Sequence, residues 1–485
     1  MSGFGSNERK TKKSEEKKIK TLQRDKLISN AFSLHSSGKI KEAADVYNFL
    51  IQKKIYDPRV FNNLGSIYSN LKQFDKAILL FDESIKKFPN SLEAYINLAN
   101  VMIIKGKSDI AKKILNKVIE LNPNYLKPYS NLAGIFVGEG NFEKAEFFLR
   151  RSLEINPKDI NTLVNLACVL KDLGNPKQAE RFLRDALEIN PKYDSALVNL
   201  GAVLNELGKI DEGEEFLKKA LKINPNSPMA LNNLGNILSK KNKNKEAELF
   251  YRKAIELKSD FFLAYDNLGS LLSKQGNLIE AEKFTEKAIN YNPKFELAYV
   301  NLGSIKIDLD KLLEAEELFL GAIQINENYS YAYRNLFRLY EKTNSIEKLK
   351  NKLKTLNANK SIINEKILFQ ARIFFREKDY IKAKKLIDQV SDEWINNTDH
   401  QTNLLYWSYK AFIEEKVGNY DEAFKCFENS QLNLKYENFN PKVFQNYIHT
   451  YRKNLDNKNF VVENNSLEEN EFSPVFLIGF PRSGT

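Results

Sequence analysis

The chain has 485 residues, 42% hydrophobic and 12% aromatic, which is apolar surface enough for a large core or several domains. Only 13 prolines and 20 glycines argue against a turn-rich all-β chain, and two cysteines (Cys168, Cys426) and three histidines (His35, His400, His449), far apart, give neither a disulfide framework nor zinc-ligand spacing, so no metal is expected. The formal charge of +11 is carried in large part by one end, and no apolar run approaches the ~20 residues that a membrane span needs, so no membrane partner is expected.

The N-terminus is polar and lacks the apolar stretch of a signal peptide, and with so few cysteines this suits the reducing cytoplasm. Residues 1–26 hold nine Lys and Arg against four acids. Such a segment reads either as an arm for nucleic acid or anionic membrane or as a solvated, disordered tail. No aromatic residues interleave the charges for base stacking, so residues 1–23 are taken as a basic disordered tail and no nucleic acid is expected.

From residue 24 to 342 the sequence repeats with a period of 34. In copies starting at 58, 92, 126, 160, 194, 228, 262 and 296 the seventh residue is always leucine: Leu64, Leu98, Leu132, Leu166, Leu200, Leu234, Leu268 and Leu302. The eighth is always Gly or Ala, from Gly65 and Ala99 to Gly303, and the twentieth is Ala or Gly, from Ala77 to Ala315. Leucine supplies the core knob of a first helix, and the small residues let a second helix approach it. Glycine at position 15 (Gly106, Gly140, Gly174, Gly208, Gly276) suits the left-handed end of the first helix. Proline at position 32 (Pro89, Pro123, Pro157, Pro191, Pro225, Pro293) stops the second. This pattern resembles the tetratricopeptide repeat over roughly two-thirds of the chain. The fold expected is therefore all-α: a right-handed superhelix of helical hairpins, an α-solenoid.

Position 6 is asparagine in nine successive registers: Asn63, Asn97, Asn131, Asn165, Asn199, Asn233, Asn267, Asn301 and Asn335. The first helices of such repeats line the inner face. An amide there offers both donor and acceptor and matches one backbone amide of an extended peptide. Helices stacked about 9–10 Å apart and a strand advancing about 3.3 Å per residue would let one asparagine clamp every third peptide residue. Position 9 beside it is often small (Ser66, Gly134, Cys168, Ala202, Ser270, Ser304). The row resembles the asparagine ladder of O-linked N-acetylglucosamine transferases, which holds substrate backbone. The same amides could instead bond between neighbouring first helices and set the pitch. If they bind peptide, alanine at three adjacent rungs such as Asn199, Asn233 and Asn267 should weaken capture.

Residues 343–455 read as degenerate repeats and a helical connector. Residues 330–363 keep only the front half of the pattern, and a copy near 404 is six residues out of phase, so a break falls at 391–403. Trp394 and Trp407 are expected in the core of this connector. Residues 456–472 are polar and acidic and read as a linker. At 473–485 the character changes: Val475–Ile478 is a short apolar strand, followed by Gly479, Phe480, Pro481, Arg482, Ser483, Gly484 and Thr485. A strand feeding a glycine-bounded loop suits a phosphate cradle, although Thr485 stands where a Walker loop has lysine.

Pro-Arg-Ser-Gly-Thr after a strand resembles the 5′-phosphosulfate loop of sulfotransferases, the tyrosylprotein enzymes in particular. The resemblance implies 3′-phosphoadenosine 5′-phosphosulfate as co-substrate. Arg482, Ser483, Gly484 and Thr485 would hold its 5′-phosphate, with Arg482 also offsetting charge on the leaving oxygen. The remainder of that α/β domain is not in the sequence, so the chain reads as the capture portion of a sulfotransferase, cut inside the donor loop and itself inactive. In that reading the superhelix holds a polypeptide acceptor, a tyrosine hydroxyl being one possibility. The alternative is a non-catalytic repeat adaptor that assembles proteins.

Overall fold

The computed structural model describes residues 24–432 apart from 357, 358 and 360. The basic segment 1–23, the linker 456–472 and the expected strand and loop at 473–485 lie outside the described residues. Among the described residues all regular structure is helical, as the repeat pattern requires, and none of the helices is long and apolar enough to cross a membrane. The chain divides into two units, Met1–Leu336 and Phe337–Thr485.

The first unit is a succession of helical hairpins. They are α1 (24–36) with α2 (Ile40–Gln52), α3 (Pro58–Asn70) with α4 (Phe74–Lys87), and α5 (Leu92–Ile104) with α6 (Ser108–Leu121). Next come α7 (Lys127–Gly138) with α8 (Phe142–Ile155), α9 (Ile160–Asp172) with α10 (Pro176–Ile189), and α11 (Asp194–Glu206) with α12 (Ile210–Ile223). The last are α13 (Pro228–Lys240) with α14 (Asn244–Leu257), α15 (Phe262–Lys274) with α16 (Leu278–Tyr291), and α17 (Glu296–Asp308) with α18 (Leu312–Ile325). Helix starts follow local chemistry. Proline opens α3, α10 and α13 as Pro58, Pro176 and Pro228, where a missing N–H costs nothing. The side chains of Asp57, Asn141, Asp159 and Ser227 accept first-turn amides.

Each first helix ends at position 15 on a residue with positive φ. Gly106, Gly140, Gly174, Gly208 and Gly276 do so at +71° to +84°. Lys72, Asn242 and Asp310 occupy the same position at +58° to +61°. The hairpin imposes this left-handed turn whatever the side chain, and a β-carbon there costs about 1 kcal/mol. Lys72→Gly is therefore expected to raise the thermal midpoint by a few degrees; an unchanged or lower midpoint would show that the turn is not strained. Hairpins are joined by a device the period alone did not reveal. Asn122, Asn156, Asn190, Asn224, Asn292 and Asn326 each close the second helix, and the side-chain oxygen accepts the amide two residues on at 3.0–3.2 Å.

The small residue at position 8 does let the second helix approach, but the group it meets first is position 24. A β-carbon on Gly65, Gly235 or Gly303 would fall 2.5–2.6 Å from the rings of Phe81, Tyr251 and Phe319. On Gly269 it would collide with the Thr285 hydroxyl. Where position 8 is alanine (Ala99, Ala133, Ala167), position 24 is leucine (Leu115, Leu149, Leu183), and all six are buried. First helices also pack on one another: α3 on α5, α5 on α7, α9 on α11, then α11, α13, α15 and α17 in turn. No pair of second helices makes a comparable contact among the described residues. Closer spacing of the first helices puts them on the inner side of the curve.

The division between the units falls inside α19 (Ser330–Lys342). The second unit continues with α20 (Ile346–Thr355), α21 (Ile363–Arg376), α22 (Tyr380–Ile387), α23 (Asp392–Asn397), α24 (His400–Lys416) and α25 (Tyr420–Leu432). α20 supplies the second helix that the fading pattern at 330–363 did not announce, because buried Leu349 and Leu353, four residues apart, suffice to seat it. The short α23 fills the stretch where the repeat loses phase. Leu368, Ala371, Ala383, Ile387, Tyr406 and Ile413 form the core, with Trp394 and Trp407 half-buried against it.

Candidate functional site

The inner face of the first unit carries the asparagine row, one amide per first helix. Position 7 leucine and position 8 Gly or Ala are buried on either side of the hairpin contact, which turns position 6 towards the groove edge. Asn165 is exposed, and the other eight are half-buried.

Their hydrogen bonds separate them into two classes. Asn131 Nδ2 donates to Asn100 Oδ1 at 2.8 Å, and Asn267 Nδ2 to Asn232 Oδ1 at 2.9 Å. Asn301 Nδ2 lies 3.0 Å from both carboxylate oxygens of Asp266. These three bonds run from one first helix to the preceding one. Asn63 donates to the Tyr47 hydroxyl at 3.2 Å, and Asn335 to the Tyr331 carbonyl within its own helix at 2.7 Å. Asn233 only accepts, at 3.5 Å, from its neighbour Asn232. Asn97, Asn165 and Asn199 make no side-chain hydrogen bond among the described residues.

The three interhelical rungs each use an Asn or Asp at position 5 or 9 of the preceding repeat, and such a residue serves only while it is not engaged elsewhere: Asn62, which precedes the open Asn97, is bonded to Ser84 and Ser91 instead. Asn232 and Asp266 hold position 5 before Asn267 and Asn301, and Asn100 holds position 9 before Asn131. Ahead of Asn165 stand Ser130 and Gly134, and ahead of Asn199 stand Val164 and Cys168, none of them the Asn or Asp that the bonded rungs use, and these amides stay open. Removing a bonded rung should cost stability: Asn267→Ala is expected to lose about 1 kcal/mol, whereas Asn165→Ala should stay within about 0.5 kcal/mol of the parent. Urea titration of both variants tests this, and equal losses would remove the distinction.

Asp266 is a buried carboxylate at the contact of α15 with α17 that the repeat pattern passed over. It is 2% exposed, and burial pushes its carboxyl up to about 6 in spite of the Asn301 amide. Burial likewise raises the Cys168 thiol, which leaves it mainly protonated and a poor nucleophile. Among the described residues no group of three or more His, Cys, Asp or Glu could hold a metal. Arg482, Ser483, Gly484 and Thr485, read from sequence as a loop for 3′-phosphoadenosine 5′-phosphosulfate, lie outside the described residues.

Residues 21–264 match the family model for the cilia and flagella-associated protein 70 C-terminal domain, and residues 263–295 and 297–329 each match the tetratricopeptide repeat. Over 102 residues the chain is 35% identical to BBSome complex member BBS4 of Bos taurus, a stretch covering 20% of this chain and 18% of that relative. Among solved structures, a tetratricopeptide repeat protein from Parabacteroides merdae is 22% identical with a TM-score of 0.45, covering 52% of this chain and 99% of the other. YrrB, described as a TPR protein with an unusual peptide-binding site, is 24% identical with a TM-score of 0.32, covering 38% of this chain and 95% of the other. All the matched family segments lie in the repeats.

Proposed function

The chain belongs to the family of the cilia and flagella-associated protein 70 C-terminal domain, whose model matches half of it, and on that premise we propose that it is a non-catalytic repeat scaffold that binds protein partners. The likeness to a relative named as a member of a complex supports this. The inner face takes an extended polypeptide, and the observation that carries this reading is the open pair Asn165 and Asn199. Small side chains, Cys168 and Ala202, stand beside them, and their amides are available to a peptide backbone without remaking any bond of the scaffold. Free Cys168 and Cys426 support placing the protein in a reducing compartment such as the cytoplasm.

The test is retention of a random-sequence peptide library on the immobilised full chain. Changing Asn97, Asn165 and Asn199 together to alanine should lower retention about tenfold, at two or three bonds of about 0.5–1 kcal/mol each, with an unchanged thermal midpoint. Equal retention by parent and triple variant would sink the peptide reading. The reading of the chain as the capture portion of a sulfotransferase is a separate proposal that the matched families do not support. It rests on Gly479–Thr485 alone, and extending the reading frame beyond Thr485 tests it separately.

A further inference from the structure

A polar cleft lies within the second unit. The last turns of α19, the middle of α21 and the start of α24 enclose a cleft of about 410 Å³ lined by Arg338, Glu341, Lys342, Arg372, Gln401 and Leu405. Three cations and one carboxylate leave this lining at a net charge of +2.

Arg372 is the fixed element. It is 6% exposed, and its guanidinium lies over the rings of Tyr409 at 4.2 Å and Phe369 at 5.1 Å. Its Nη2 pairs with Glu341 at 2.8 Å, while Nε and Nη1, both buried, have no hydrogen-bond partner. Leaving two N–H groups of a buried cation unsatisfied is costly unless another acceptor reaches them. Arg338 is held beside it by Thr402 Oγ1 at 2.8 Å and Gln401 Oε1 at 3.2 Å, with Asp399 3.8 Å away. Lys342 is exposed and makes no ion pair among the described residues. Burial pushes the Glu341 carboxyl above its usual range, against the pull of Arg372, Arg376 and Arg338.

We propose that this cleft is an oxyanion site for a phosphoryl dianion. The cluster stays net positive even with Asp399 at 3.8 Å from Arg338, so it calls for an anion, and two guanidinium groups and an ammonium around one cleft suit the three oxygens of a phosphoryl group better than the two of a carboxylate. A planar guanidinium already locked by stacking, beside a second arginine and an exposed ammonium, is the donor set that phosphoryl oxygens take. The source is either a small phosphate or a phosphorylated side chain on a partner polypeptide.

The experiment is thermal denaturation of the full chain in sodium phosphate against sodium acetate at equal ionic strength, followed by calorimetric titration with inorganic phosphate. Phosphate should raise the midpoint above acetate, and Lys342→Glu, an exposed change that should leave folding intact, should weaken phosphate binding about tenfold or more. Arg372→Lys keeps the charge but loses the fork, and should also weaken it. A phosphoserine peptide and its unphosphorylated form separate the sources: tighter binding of the phosphopeptide than of inorganic phosphate identifies a macromolecular partner, and the reverse identifies a small ligand. Equal effects of phosphate and acetate, or undiminished phosphate binding by Lys342→Glu, would overturn the proposal.

Discussion

Replacing Asp266 by asparagine is expected to stabilise the protein at pH 7.5 by about 3 kcal/mol, as an upper bound, and by about half of that at pH 5. The cause is the position of the carboxyl, 2% exposed on the inner face of α15, where one amide, Asn301, is its hydrogen-bond donor. A group at about 6 in the folded chain and 3.8 when unfolded binds more protons when folded between those values. The folded state is therefore penalised in full above about pH 6, and the penalty is relieved as the pH falls towards 4. Asparagine removes the charge and recreates a pair the protein already uses one repeat earlier, where Asn232 and Asn267 meet at 2.9 Å. Thermal midpoints of parent and variant across pH 5–8 decide the matter. A gain that does not grow with pH would show that Asp266 is not charged against its surroundings.

Gly303→Ala is expected to destabilise by about 1–2 kcal/mol: overpacking costs about 1–3 kcal/mol, offset by up to about 1 kcal/mol from the better helix former. The new methyl would sit 2.5 Å from Cε1 and 2.9 Å from Cζ and Cδ1 of Phe319, a ring with no exposed surface that cannot swing away. Phe319→Leu alone leaves a gap beside the glycine and should cost about 1 kcal/mol. Combined, the two changes reproduce the Ala99–Leu115, Ala133–Leu149 and Ala167–Leu183 pairings of the earlier repeats. The double variant should be close to the parent in urea denaturation, with a coupling of at least about 1 kcal/mol. Simple additivity would mean that positions 8 and 24 are not matched to each other.

Repetition itself made most of the first unit legible. Eight in-phase copies of one hairpin average out local accidents, so the leucine at position 7, the glycine frequent at 15 and the proline frequent at 32 mark helix and turn without any three-dimensional information. The second unit was less legible because its copies have lost those markers. Nothing in the sequence around 346–355 announces α20 except two leucines, and the cluster of Arg338, Lys342 and Arg372 spans two repeats whose pattern has faded.

The sequence by itself therefore determined the all-helical repeat, the ends of its helices and the inner-face row of asparagines, because each depends on residues close together in the chain. Which amides are open was decided by tertiary structure alone. Asn199 and Asn267 occupy identical places in the repeat, and their fates differ because Val164 and Cys168 precede one and Asn232 precedes the other, across a helix–helix contact. Burial decided the rest: it charges Asp266 with a cost and leaves two N–H groups of Arg372 without an acceptor, and neither can be assigned until the neighbouring helices are in place.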